Sequence, residues 1–573
     1  MGKRRTRDIT RLILLVIIVI LLNVIGSLRF FRIDLTAEKR YSLSDVTIEL
    51  LNSFDEQIYV KVYLEGDFPA GFQRLQRETR QMLDEFRAYN PSIQYEFIDP
   101  SASPDEKVNQ EVFEQLQFKG LKYYELMENR SGGQSVQRVF PGAILNLGDQ
   151  EVPVNLLIDQ MGASPEQQIN ASVQNLEYKL ANAIRSLVRS DKPYVAFLQG
   201  HDELKPEYIL DFARSLSLNY QVDRFNLREF RSDSSGQQLS IADQQRRLNR
   251  FDAVIIAKPR KPFNDLDKFL LDQYLMTGGK LIWMIDAIQA NMDSLSERPQ
   301  FMSYPIYDRL NIDDMLFRYG ARINTNIVLD RIAAGVSDTR RTYPWIYFPM
   351  IMPQVKHPIA KDVNAIKLEF PSSVDTIISP GVQKTFLMRS SPYSRTVGTP
   401  HIVKLQKLYE IPPESYFQDQ NIPVALLLEG EFESAFKNRV TPRENSGEPI
   451  TLLEKSAPTQ QLVIADGDII RNQLNVLNPD IPKGTPLPLG FDQYTGAQYG
   501  NKDFMLNAMD YMLDDSGLID IRSRELKIRL LDTARIKNNK LLWQLLNTFV
   551  PVLLVILLGL IYNLVRRNRY AKI

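Results

Sequence analysis

The sequence predicts an α/β protein, with a small α/β domain and a larger doubly wound one held between two membrane-spanning helices. Three observations carry that prediction. Apolar runs stand near both ends of the 573 residues, at 12–28 and 541–565. Strand-like segments alternate with helical ones through the middle of the chain, the pattern of a parallel sheet with crossover helices. Ahead of that region lies a β-α-β unit followed by several short strands.

The first apolar run, "RLILLVIIVILLNVIGSL", follows the basic tail 1–11, and no small-x-small cleavage site comes after it. It reads as an uncleaved signal-anchor near the lower length limit for a span. The second, "WQLLNTFVPVLLVILLGLIYNLVRRNRY", carries Trp543 and Tyr562 as interfacial aromatics. It is stopped by Arg566, Arg567 and Arg569 at the start of a short tail, 566–573. Two spans put both termini on one side. The basic residues favour cytoplasmic termini at an inner membrane, with the bulk of the chain periplasmic.

The small domain is expected over 29–160. Ser42 with Asp45 matches a capping box, so a helix should start there. "QIYVKVYL" and "IQYEFID" are strands around a helix with Phe72, Leu75, Met82, Leu83 and Phe86 at helical spacing. "LKYYELM", "QSVQRVF", "AILNLG" and "EVPVNLL" follow as short strands. The layout is thioredoxin-like, without any redox cysteine.

The large domain is expected over 161–515. A helix from about Glu166 to Arg189 leads in, and "KPYVAFLQG", "YQVDRFNL", "FDAVIIAKP" and "KLIWMID" are its strands. Continuous apolar runs such as the last two belong to buried parallel strands. Gly278 and Gly279 read as a helix C-cap before a strand. "ARINTNIVLD" and "QLVIADGDII" read as later strands of the same sheet. Between them, about 342–458, the pattern breaks into shorter Pro-rich strands and is taken as a β-rich insertion. Residues 516–540 form a juxtamembrane basic segment. They read either as a half-buried strand or hairpin, or as a basic collar for anionic headgroups or a membrane partner, with Arg522 and Arg524 in it.

Composition narrows function. Hydrophobic residues make up 44% and charged residues 24%, as in a globular protein, and 69 basic residues balance 69 acidic ones. A net charge of zero gives no field for nucleic acid. The absence of cysteine excludes disulfides, zinc–thiolate sites and cysteine nucleophiles. There is no G-x-S-x-G elbow, no H-E-x-x-H and no phosphate-cradling G-x-x-x-x-G-K-[ST]. No catalytic residue and no cofactor is expected. What remains is a set of polar groups at the strand tips: His201, Asp202 and Glu203, then Asp286, Asp330, Asp466 and Asp468. Acids gathered at the carboxyl edge of such a sheet can bind a cation or a sugar; the alternative is that they cap turns and helices. His201 is the best single candidate, at the first strand's tip, whereas His357 and His401 read as loop residues. "YPWIYF", Tyr343–Phe348, reads as lobe packing rather than as a stacking platform. In the spans, Asn23, Gly26, Asn547, Gly559 and Asn563 are the groups expected to face a partner helix.

As an ordered set, several of these stretches resemble the GldG family of Bacteroidetes, auxiliary proteins of a gliding-motility ABC transporter. They are "IDLTAEKRYSLSDVTIELL", "VYLEGDFPAGFQRLQRETRQMLDEFRAYNPSIQYEFIDP", "FDAVIIAKP" through "GGKLIWMID", "NIVLD", "VIADGDIIRNQL" and the C-terminal run. The resemblance covers nearly the whole chain. It implies an auxiliary or substrate-binding subunit linked to gliding motility and protein secretion. Its partners would be a GldF-like permease and a GldA-like ATPase. It also implies a class I glutamine amidotransferase-like large domain, whose catalytic cysteine this chain lacks. The rival readings are a carbohydrate- or solute-binding receptor for an unidentified small ligand, and a metal-dependent carbohydrate-active enzyme using the tip acids.

Overall fold

A computed structural model describes residues 12–21, 42–130, 133–230, 240–292, 294–295, 299–338, 341–353, 355–410, 412–442, 452–514, 516–523 and 539–570. The chain divides into two units, residues 1–524 and residues 525–573.

In the first unit, helix Asp45–Asn52 is capped by Ser44, whose hydroxyl accepts the Thr47 amide at 3.2 Å. The cap therefore lies two residues beyond the expected Ser42. The reason is a long-range one. Buried Glu177 accepts the Ser44 amide at 2.6 Å and the Thr47 hydroxyl at 2.8 Å, which fixes where the helix begins. The small sheet runs in the order Ile93–Phe97, Ile58–Val62, Gly142–Leu147, Gln150–Asn155. Its first pair is parallel across helix Ala70–Tyr89 and the rest is antiparallel. Tyr124–Arg130 and Gly133–Val139 form a separate hairpin. Leu51, Val60, Leu83, Phe86 and Leu145 pack in one core with Leu176, Leu180 and Ile184, and with Leu518, Ile519 and Ile521. Helices Pro165–Gln174 and Leu176–Val188, expected as one helix leading into the large domain, thus cover the small sheet. They break at Asn175, whose amide donates to the Ala171 carbonyl and to Asp362.

The large sheet has seven strands. Tyr194–Gln199, Gln221–Asn226, Ala253–Ala257, Lys280–Met284 and Thr459–Ile464 are parallel, with Pro423–Gly430 and Val382–Arg389 antiparallel at one edge. Alternate side chains of a strand point to opposite faces. Accordingly Val195, Phe197, Ile255 and Met284 meet Phe212, Leu216, Phe504 and Met505 on one face. Ala196, Leu198, Ile256 and Trp283 meet Phe269, Leu271 and Leu275 on the other. Helices on both faces make the sheet doubly wound. In chain order, the second parallel strand lies to one side of the first and the third to the other, so the switch point falls between the tips of Tyr194–Gln199 and Ala253–Ala257. The expected C-cap before the fourth strand is present. Gly278 has φ +97°, and a Cβ on Gly279 would lie 2.3 Å from the Tyr274 ring.

Three strands differ from expectation. Asn326–Asp330 is outside this sheet and pairs with Ser394–Gly398, where Ile327 and Leu329 pack against Trp345 and Phe348 of a β-rich lobe. Conversely Val382–Arg389 and Pro423–Gly430, read as parts of the insertion, are sheet strands. Val424–Leu428 is an apolar run fully closed to solvent, as continuous as the buried parallel strands, and it takes a place beside them.

In the second unit, helix Lys540–Tyr570 holds an 18-residue stretch of mean hydropathy 2.4 within Lys540–Asn568, long and apolar enough to cross a membrane. At the other end of the chain the described apolar helix Leu12–Leu21 is ten residues long. The rest of the expected first span, with Asn23 and Gly26, lies outside the described residues.

Candidate functional site: the carboxyl edge of the large sheet

Three of the expected acids converge. Asp286 follows the fourth parallel strand, and Asp466 and Asp468 follow the last. Each offers an oxygen within 4.8 Å of the others, a spacing that suits a cation. A cation of the protein's own stands among them. Lys258, at the tip of Ala253–Ala257, places its ammonium 2.9 Å from Asp286 Oδ2 and bonds to Asp468 as well. The other oxygens are mostly taken by backbone amides. Asp286 Oδ1 accepts the Gly467 N–H at 2.7 Å. Asp466 Oδ1 and Oδ2 accept the N–H groups of Asp468 and Glu369, both at 2.7 Å. Among the described residues, Asp468 Oδ1 alone of these oxygens has no hydrogen-bond partner, with Arg471 Nη1 3.7 Å away.

Backbone geometry serves this contact. Lys258 has φ +56°, which is uncommon for a residue with a side chain, and its N–H donates to the Met284 carbonyl at 2.8 Å. Gly467 makes room. A Cβ there would stand 2.7 Å from Lys258 Cβ and Cγ and 2.9 Å from Asp286 Oδ1. Burial opposes the ammonium's charge, but Asp286 and Asp468 more than offset it and hold the amine above its ordinary range. Burial raises Asp286, opposed by Lys258. Burial together with Asp468 and Asp286 pushes Asp466 well up. The arrangement is an ion-pair network closed around an internal ammonium.

His201 belongs to a second network. Its ring is closed to solvent and stacks on Phe263 with centroids 3.6 Å apart. Nδ1 lies 3.2 Å from Glu203 Oε1 and Nε2 lies 3.0 Å from Asp267 Oδ2. Arg228 donates to the same Asp267 oxygen at 2.7 Å. Burial alone would lower the imidazole's pKa, yet the hydrogen bonds to Asp267 and Glu203 raise it, which favours the doubly donating imidazolium. The His201 carbonyl accepts the Arg260 and Lys261 amides, so the residue clamps the loops at the switch point. Asp202 is exposed, at φ +60°. Asp330 is buried in the lobe, where it accepts the amides of Ile332 and Ser391 and the Ser391 hydroxyl. Neither belongs to the acid cluster.

A cavity of about 470 Å³ opens beside Asp468, lined also by Arg471, Lys367, Glu369, Asp492 and Tyr208. Lys367 pairs with Glu369 at 3.0 Å and Asp492 at 3.1 Å and lies over the Phe348 ring.

Arg522, expected in a basic collar, is buried in the globular body. Its guanidinium donates to Asn507 Oδ1 at 3.1 Å and to the Lys361 carbonyl, over the Tyr178 ring. Arg524 lies outside the described residues. Asn547, Gly559 and Asn563 are exposed on helix Lys540–Tyr570, and a Cβ on Gly559 would meet nothing within 4 Å. Sequence reasoning missed Lys258. A lysine closing an apolar strand, in "AVIIAKP", was the available signal, since a charge following such a run is drawn to the sheet tip.

Two family models match separate stretches of the chain. Residues 192–508 match the family model described as an ABC-type uncharacterized transport system, and residues 37–146 match a domain of unknown function. An uncharacterized protein of Borreliella burgdorferi is 21% identical over 445 residues, 76% of this chain and 80% of that protein. Among solved structures, the mmIFT52 N-terminal domain aligns with a TM-score of 0.31 at 13% identity, over 56% of this chain and 96% of that one. The first model spans more than half of the sequence, and the chain belongs to the ABC-type uncharacterized transport system family.

Proposed function

We propose that this chain is a non-catalytic, membrane-anchored auxiliary subunit of an ABC transport complex of the GldA–GldF–GldG type. In this reading both termini are cytoplasmic, the two α/β domains are periplasmic, and the spans pack on the permease. The observation that carries the non-catalytic part is Lys258. An enzyme using the tip acids needs them open to a metal or substrate, whereas an internal ammonium and backbone amides occupy nearly all their oxygens. The family supports the transport role. The apolar helix Lys540–Tyr570 supports the anchor, and one such helix suffices for tethering. Asn547, Gly559 and Asn563 on that helix are of the residue types through which helices associate in lipid.

The test is affinity capture of the full chain from its own membranes, with permease and ATPase identified in the eluate. Replacing residues 541–565 by a polyleucine helix of equal length should leave insertion and folding intact and abolish capture of the permease. Capture that survives the replacement contradicts recognition through the span. Reporter fusions that place the C-terminus outside the cytoplasm contradict the topology.

A second reading, a receptor for a small solute at the sheet edge, is favoured by one observation: the unbonded Asp468 Oδ1 beside the 470 Å³ cavity. Solute binding that is lost in Asp468→Asn would favour it.

A further inference from the structure

A second cavity, of about 410 Å³, lies away from the sheet edge, where the small sheet and helix Leu176–Val188 meet helix Asn501–Leu513. Arg522 and Lys179 both line it. Arg522 is 8% exposed, and among the described residues it bonds only to neutral groups, the Asn507 side chain and the Lys361 carbonyl, with no acceptor for its Nε–H. Lys179 donates to three carbonyls, those of Asn155 at 2.6 Å and of Leu156 and Leu157 at 3.4 Å. Among the described residues neither cation has a carboxylate within ion-pair distance. Nearby Arg185 shows the usual arrangement, 3.1 Å from Asp510 and 2.5 Å from Asp514.

The acids on the cavity wall do not fill the gap. Asp510 is engaged by Arg185, Tyr178, Tyr220 and Asn182. Asp362 accepts the Asn175 amide, and Asp159 and Asp503 are exposed. A buried cation without a counter-charge is costly, and a guanidinium with a free N–H is the side chain best shaped to bind an oxyanion. We infer that this cavity binds a small oxyanion, a carboxylate or phosphate, with Arg522 as its hydrogen-bonding anchor and Lys179 supplying the second positive charge. The site is independent of the acid cluster and of the reading of the chain as a transporter subunit.

Lys179 gives the site a pH signature. Burial lowers its amine to about 7, with Arg522 and Lys122 acting the same way and Asp503 and Asp362 opposing. An anion favours the charged amine, so binding should weaken as pH rises through that value.

The experiment is calorimetric titration of the full-length protein in detergent with sodium acetate and with sodium phosphate, against sodium chloride at equal ionic strength. Saturable binding of acetate or phosphate is expected, reduced about tenfold or more in Arg522→Gln. Acetate affinity in the wild type should fall between about pH 6 and pH 8, and in Lys179→Met it should be weaker and flat over that range. If Arg522→Gln fails to fold, protection of Lys179 from acylation by saturating acetate in the wild type decides the matter. Acetate and phosphate behaving like chloride, or affinities unchanged in the variants, or no protection of Lys179, overturns the inference.

Discussion

Lys258, buried at the edge of the large sheet, and Lys179, half-buried on a cavity wall, are treated in opposite ways by their surroundings. Lys258 sits beside Asp286 and Asp468, which against the opposing effect of burial hold its amine above the ordinary range. Lys179 sits against three carbonyls, close to a second uncompensated cation, and is lowered to about 7. The contrast shows how to tell structural charge from functional charge in this fold. A cluster that contains its own counter-ion is complete and fastens loops together. A cation with neutral partners is incomplete, and an outside ligand can complete it.

The sharpest way to break the contrast is to remove the internal counter-ion. Lys258→Met leaves Asp286 and the buried Asp468 without their ammonium. It should cost about 3–5 kcal/mol, read as a fall in the thermal unfolding of the detergent-solubilised protein. A near-neutral Lys258→Met would mean that the acids are already compensated from elsewhere.

Next is His201→Gln, expected to cost about 1.5–3 kcal/mol for the charge-assisted bonds to Asp267 and Glu203. The folded imidazole has a raised pKa. Its contribution is therefore complete below about 6.5, the unfolded value, and is lost as pH rises through the folded one. The stability gap between wild type and variant should narrow toward alkaline pH, while capture of the permease stays intact. A folded His201→Gln protein that no longer supports transport while its complex persists would restore a chemical role to the ring.

Gly467→Ala tests the close approach itself. The added methyl meets Lys258 carbons at 2.7 Å, so a loss of about 1–3 kcal/mol is expected, with the acid network disturbed but not dismantled. The smallest effect belongs to Lys179→Met, which should be neutral or stabilising in anion-free buffer. Between about pH 7 and the unfolded value near 10.4, the unfolded chain holds a proton on Lys179 that the folded chain has lost, so stability rises with pH there. The variant should remove that rise, as thermal unfolding at successive pH values would show.

The sheet was largely legible because its central parallel strands, "AVIIA" and "KLIWM", are nearly continuous apolar runs, and buried strands need no alternation. The same rule applied to Val424–Leu428 would have placed it in the sheet; its Pro-rich neighbours disguised it. Asn326–Asp330 misled in the opposite direction, since an apolar run covered by a lobe looks the same as one covered by helices. At the site, Asp286, Asp466 and Asp468 were legible as strand-tip acids, but Lys258 was not. Its partners lie far along the chain, and only the sheet order brings their strands together. Arg522 shows the same limit. Basic and apolar residues in alternation suit a membrane collar and a buried plug equally, and the pairing with Asn507 and Lys361 is settled by packing alone.

On the proposed reading the acid cluster at the sheet edge is complete without an added cation, and the sheet is a scaffold rather than a metal-dependent active site. The direct measurement is calorimetric titration of chelator-treated wild-type protein with magnesium, calcium and manganese. No saturable binding is expected at this cluster, because Lys258 already stands in the cation's place. Stoichiometric binding of any of these ions that disappears in Asp286→Asn would contradict it.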